Sequence, residues 1–188
     1  MTNSAELTKS KLSLRKQTLA AALAVIAAVA LPQLLHVMGR ISGLGTALGE
    51  IFLPMHFPVL LVGLIAGPYA GAAAGILSPL ISAGLTGMPG TAMLPFMMLE
   101  LCAYGLFSGL LRNTKLPCIA KVIIAQIAGR AVRAAAILIS VYAIGNSAIP
   151  AAVIWKSIAV GIFGLAIQWI MIPLIMYRLN NGKMSERE

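Results

Sequence analysis

The sequence predicts an all-α, polytopic membrane protein of six transmembrane helices with its N- and C-termini both in the cytoplasm, and three observations predict it. Of 188 residues, 60% are hydrophobic and only 10% are charged, with a mean hydropathy of +0.94, whereas soluble chains hold about half apolar and a quarter charged residues. Apolar runs recur six times with short breaks between them, and a hydrocarbon core about 30 Å thick takes roughly 20 apolar residues per helix. The positive charge is also lopsided. Lys9, Lys11, Arg15 and Lys16 precede the first run, Arg112, Lys115 and Lys121 lie between the fourth and fifth, and Arg178, Lys183 and Arg187 follow the last. Only Arg40 and Lys156 fall toward the other connections, and an excess of Lys and Arg marks the cytoplasmic side. The net charge of +9 therefore belongs to membrane topology, with lipid as the surrounding partner, and does not indicate nucleic acid, which would need a basic face of its own.

Residues 1–17 read as a basic cytoplasmic N-terminus, 18–178 as the membrane domain and 179–188 as a cytoplasmic tail. The first span, Thr18 to Val37, contains Ala28-Val29-Ala30, which mimics a signal-peptidase site. Five further apolar segments follow, and an even number of spans returns the C-terminus to the basic side, so this run is expected to be retained. GRISGLGTALGE, 39–50, is rich in glycine and reads as a substantial external loop. The second span, LPMHFPVLLVGLIAG, carries Pro54 and Pro58 near its outer end. Backbone groups freed by prolines at membrane depth are tolerated only in protein or beside a wet cavity, which makes that end a candidate cavity wall. Gly67-Pro68 turns the chain into the third span, Tyr69 to Leu85. Gly63, Gly67, Gly71 and Gly75 recur every fourth residue across this turn, a pattern that lets backbones approach closely, and the second and third spans are expected to form a tight hairpin. The loop TGMPG leads into the fourth span, Thr91 to Leu111, RNTKLP into the fifth, Cys118 to Ile144, and GNSAIP into the sixth, Ala151 to Tyr177.

Ionised side chains inside a bilayer are expensive, about 2.5 to 3.5 kcal/mol at a helix centre on insertion scales, and so face the bundle interior or a water-filled cavity. Glu100 lies midway along the fourth span; Arg130 and Arg133 lie midway along the fifth, three residues apart. Met93, Met97, Glu100, Tyr104 and Ser108 share helical spacing, as do Gln126, Arg130, Arg133 and Ser140. Facing stripes would set one carboxylate against two guanidinium groups. Two readings stay open here. In one, Glu100 neutralises one arginine while the other grips an anionic solute, since a guanidinium matches a carboxylate bidentately; in the other, the cluster only locks two helices. His56, between Pro54 and Pro58, reads as a solute ligand or a hydrogen-bonded interfacial histidine. His36 reads as interfacial, and Trp155 with Lys156 as an aromatic-belt anchor. Ser157, Gly161, Gly164 and Gln168 form a small polar stripe on the sixth span, with Gln168 deep enough to need a partner. Cys102 and Cys118 have no metal-ligand spacing. No nucleotide-binding, hydrolase, metal or cofactor motif occurs, so any ATP-driven step would need another subunit.

GEIFLPMHFPVLLVGLIAGPYAGAAAGILSPLISAGLTGMPG, followed by MLPFMMLELCAYGLFSGLL, resembles the second-to-fourth-helix region of the S components of energy-coupling factor (ECF) transporters, most clearly in the GP-x-x-G turn at Gly67, Pro68 and Gly71. Ala20, Ala24 and Ala28 are similar to the family's A-x-x-x-A motif. The resemblance implies a vitamin-binding subunit with no enzyme activity and no cofactor, in a prokaryotic plasma membrane, which works with a membrane coupling subunit and two ATPases. It places a site in the outer half, drawing on Glu50, His56, Met88, Glu100, Arg130, Arg133 and Asn146, and sets Ala20, Ala24 and Ala28 against the coupling subunit. An uncompensated arginine favours a carboxylate-bearing solute. Pantothenate comes first, with riboflavin, a pyridoxine or pyrimidine precursor, folate and a cobalamin precursor as alternatives. A self-sufficient ion-coupled transporter, with Glu100 as proton carrier, is the rival; such proteins often carry inverted repeats, and none is evident here.

Overall fold

In hydrocarbon every backbone N–H and C=O must be satisfied within the segment, so apolar runs of this length fold as helices. The computed structural model describes residues 13–146 and 148–185, so Lys9, Lys11 and Arg187 of the basic flanks lie outside the described residues. The elements are α1 (Leu14–Ile41), α2 (Ala47–Phe52), α3 (His56–Ala66), α4 (Pro68–Thr86), α5 (Leu94–Leu111), α6 (Cys118–Leu138) and α7 (Val153–Ser185), with a π-helical turn, Ile139–Ala143, after α6. Taken with α2 and α3 as one crossing and the π turn as part of α6, they make six spans long and apolar enough to cross a bilayer. Spans alternate in direction, so Arg15, Lys16, Arg112, Lys115 and Arg178 gather at one end, and the α1–α2, α4–α5 and α6–α7 connections gather at the other.

The expected loop over 39–50 is corrected. Helix α1 continues to Ile41, the reversal occupies only 42–46, and α2 begins at Ala47. Gly43 and Gly45 adopt the left-handed conformation, with φ of 75° and 56°, which suits residues without a Cβ. A side chain on Gly39 would strike the Gly45 carbonyl, so these glycines build a sharp reversal and no long loop. At the foot of α2, Leu53 is left-handed (φ 49°), and the chain breaks there before Pro54 and restarts as α3. The ends of later spans shift modestly: α5 starts at Leu94, and α7 runs from Val153 to Ser185, making most of the expected tail helical.

The glycine series also has a different partner from the one expected. A Cβ on Gly63 would strike Ser108 and the Gly105 carbonyl, one on Gly71 would strike Gly105, and one on Gly75 would strike the Leu101 carbonyl. Gly109 lies in the same way against Pro68. The stripe therefore seats α3 and α4 against α5, backbone to backbone, because small residues remove the side-chain layer that normally separates helices. On the far side, Val62, Ala66, Ala70 and Ala74 of α3 and α4 pack against Ala24 and Val25 of α1, and Ala28 is fully buried. Of the Ala20, Ala24 and Ala28 face, expected to meet a coupling subunit, Ala24 and Ala28 are buried within this chain and Ala20 packs beside the α1–α3–α4 cluster.

Candidate ligand-binding site

A cavity of about 410 Å³ opens at the end opposite the basic flanks. Its walls come from Pro32 and His36 of α1, Gly49 and Glu50 of α2, the Leu53–His56 break, the Met88–Gly90 loop, Met93 and Met97, Arg133 of α6, and Val153, Lys156, Ser157 and Val160 of α7. The prolines and the left-handed Leu53 explain why the wall lies here: they break the second crossing, so that α2 packs on α1 and α7 instead of continuing α3.

Glu100 sits behind this cavity, 0% exposed. Arg133 Nη1 donates to its Oε2 at 2.8 Å, and the Tyr104 hydroxyl, one turn away on the same face of α5, donates to Oε1 at 3.2 Å. His56 Nε2 lies 3.9 Å from Oε1, beyond hydrogen-bond length, with its ring tilted 57° against Tyr104 at a centroid separation of 5.3 Å. Gly129 makes room for that Tyr104 ring, since a Cβ there would collide with it. Among the described residues neither ring nitrogen of His56 has a hydrogen-bond partner, although the residue is only 3% exposed. Arg133 is held at both ends, with Nη2 also donating weakly to Met93 Sδ at 3.6 Å, and its side chain keeps 14% of its surface open toward the cavity.

The two arginines part company. Three residues along a helix separate side chains by about 60° around the axis, enough to send Arg133 to the cavity and Arg130 into the α6–α7 seam. There Arg130 Nη1 donates to the Ser157 carbonyl at 3.4 Å, and it takes no place in the cavity wall. The arginine that faces the space is the one paired with Glu100. Of the residues expected at the site, Glu50, His56, Met88 and Arg133 line the cavity, Glu100 lies immediately behind it, and Arg130 and Asn146 lie apart. Asn146 is exposed in the α6–α7 connection, where its side chain bonds Ser140 Oγ and the Ala148 N–H. Two ionisable wall residues were missed, Lys156 and His36. Lys156 shares one face with Val153, Ser157 and Val160, a spacing of three, four and seven that separates it from the outward Trp155, 75% exposed. His36 stands one turn beyond Pro32 on the inner face of α1.

The model of the family described as ECF transporter, substrate-specific component, matches residues 14–176. The chain belongs to this family. No curated protein and no solved structure matches it. As an S component it is a multi-pass membrane protein and the substrate-binding subunit of a transporter. The open-ended cavity beside Glu100 and Arg133 is the place in the fold whose size and polarity suit a small solute, since such sites usually hold about 300 to 1,000 Å³ and are mostly apolar with a few fixed polar groups.

Proposed function

We propose that this S component captures a carboxylate-bearing vitamin from outside the cell in the α2–α7 cavity, with pantothenate the first candidate, and delivers it through a membrane coupling subunit and two ATPases. The observation that carries this reading is the Arg133 guanidinium, fixed by Glu100 from behind and aimed into a space rich in methionine and proline whose other charged wall residues are Glu50 and Lys156. A guanidinium is a strong partner for a carboxylate, Arg133 keeps 14% of its side chain open in the cavity wall, and fixing it beforehand reduces the ordering cost on binding. Lys156 adds a second cation near the opening, which draws an anion inward. His56 lies in the same wall, where its ring, tilted against Tyr104, shapes the space beside the guanidinium.

The test is calorimetric titration of the detergent-purified chain with pantothenate and with its alcohol analogue, in which the carboxylate is reduced to a hydroxyl. A hydrogen bond between charged groups contributes about 1.5 to 3 kcal/mol, so the alcohol should bind roughly tenfold or more weakly. Equal binding of acid and alcohol would remove the carboxylate from the reading. Heat from another vitamin with none from pantothenate would replace the solute and keep the site. Co-purification with an ATPase module tests the transport assignment, and ion-driven uptake by the isolated chain in vesicles would favour the rival mechanism.

A further inference from the structure

A line of four polar groups crosses the bundle below the cavity. Trp169 Nε1 donates to Gln126 Oε1 at 2.6 Å, Gln126 Nε2 donates to Gln168 Oε1 at 2.8 Å, and Gln168 Nε2 donates to the Leu53 carbonyl at 3.3 Å. An indole nitrogen can only donate and a backbone carbonyl can only accept. Both amides between them are therefore fixed in orientation by the chemistry of the two ends. Gln126 and Gln168 are 3% and 1% exposed, where a polar group without a partner is costly.

If this line only stapled α6 to α7 it would end at Gln168. It ends instead on Leu53, the left-handed residue that divides α2 from α3. The same carbonyl accepts the His56 N–H at 3.1 Å, so one oxygen joins the amide of Gln168 to the backbone that presents the His56 ring. Helix α7 reinforces the contact along one face. Gly161 and Gly164 stand two turns and one turn before Gln168, and a Cβ on Gly164 would meet the Phe52 carbonyl at 2.6 Å and the Ile51 carbonyl at 2.7 Å. Helix α2, which carries Glu50 of the cavity wall, is seated on a glycine surface and pinned at its end by one side-chain amide.

We infer that Gln126 and Gln168 are positioning residues of the ligand site: through the Leu53 carbonyl they hold α2 and the His56 backbone in the arrangement that shapes the cavity. The effect on ligand rests on the cavity being the binding site, but the positioning itself does not need a ligand to be measured. The experiment is amide hydrogen exchange on the full-length chain in detergent, comparing wild type with Gln168→Leu and Gln126→Leu. Exchange over 47–57 should rise about tenfold in Gln168→Leu, as expected when one buried hydrogen bond holding a local segment is lost, while the glycine-packed α4–α5 pair stays at the wild-type rate. Gln126→Leu should show the same local pattern more weakly, because it leaves the bond from Gln168 to Leu53 in place. A uniform rise through all helices, or no rise over 47–57, overturns the inference. Should Gln168→Leu fail to fold, Gly164→Ala decides the matter. It pushes α2 from its seat without orphaning a polar group, and it should accelerate exchange over the same segment alone. Pantothenate titration of the same proteins is the second arm. Weakened affinity accompanying the local exchange supports the inference, and affinity within twofold of wild type in a variant with accelerated exchange overturns the link to binding. Absence of pantothenate binding to wild type rejects that solute and leaves exchange to decide the positioning.

Discussion

Replacing Glu100 and Arg133 together separates what the pair does for the fold from what it does for a ligand. Arg133→Met alone leaves a carboxylate at zero exposure with only the Tyr104 hydroxyl bonded to it, and Glu100→Leu alone leaves two guanidinium groups in the bundle with no acid between them. Breaking a buried pair from one side costs about 3 to 5 kcal/mol. Because Arg133 keeps 14% of its side chain open and can reach cavity water, the loss from Glu100→Leu should fall near the lower bound, about 3 kcal/mol, with Arg133→Met nearer the upper. The double substitution removes one charge of each sign and fills similar volume, and apolar replacement of a whole buried pair is often neutral. The Tyr104 hydroxyl still loses its acceptor, about 1 kcal/mol, so the double variant should lie within about 2 kcal/mol of wild type and above both singles. Binding should behave differently. Without the guanidinium the double variant should bind the carboxylate ligand about 10 to 150 times more weakly despite its recovered stability. Thermal unfolding in detergent and calorimetric titration read the two quantities separately. A double variant that binds as wild type does, or that is less stable than either single, would refute the reasoning.

Further outcomes follow from the same geometry. Arg130→Ala should lower the unfolding temperature yet leave affinity within about threefold, because its bond to the Ser157 carbonyl holds the α6–α7 seam outside the cavity; a binding loss as large as that of Arg133→Met would show the two arginines acting as one. Lys156→Ala should slow association of an anionic ligand several-fold at low salt, with the difference shrinking as ionic strength rises, measured by stopped-flow mixing. Gly105→Ala should destabilise by about 1 to 3 kcal/mol or more, since its new methyl would collide with the Gly71 backbone and only a helix shift relieves it. Asn146→Ala, in an exposed connection, should leave affinity unchanged and stability within about 0.5 kcal/mol.

Six crossings were legible because hydrophobic length and Lys/Arg asymmetry are properties of single segments. Glu100 and Arg133 were legible for a related reason: a charge in hydrocarbon demands a partner, and only one acid was available at that depth. What spacing could not supply was the choice between partners. It placed Arg130 and Arg133 on one face but not at the angle that divides cavity from seam. It marked Gly63, Gly71 and Gly75 as points of close approach, yet whether α5 or the adjoining hairpin arm would fill them depends on the whole bundle. Ala24 and Ala28 show the same ambiguity, since a smooth helical face suits an internal neighbour as well as an external one. Lys156 was hidden by its neighbour Trp155, whose outward ring suggested an interfacial anchor for both. Gln168 announced its need for a bond, but its acceptor, the Leu53 carbonyl, exists only because the chain breaks there.

The glycine contacts divide the molecule mechanically. Where Gly71 meets Gly105 and Gly75 meets the Leu101 carbonyl, there is no compliant layer of side chains to deform, so α3, α4 and α5 form one closely packed plate. The α6 and α7 crossings are each 28% buried against 44% for the α5 crossing, and their close approaches are local: Gly129 admits the Tyr104 ring and Gly164 seats α2. A body with one stiff half and one yielding half flexes along the join between them. In this protein that join borders the cavity, and the closely packed α3, α4 and α5 form its wall behind Glu100.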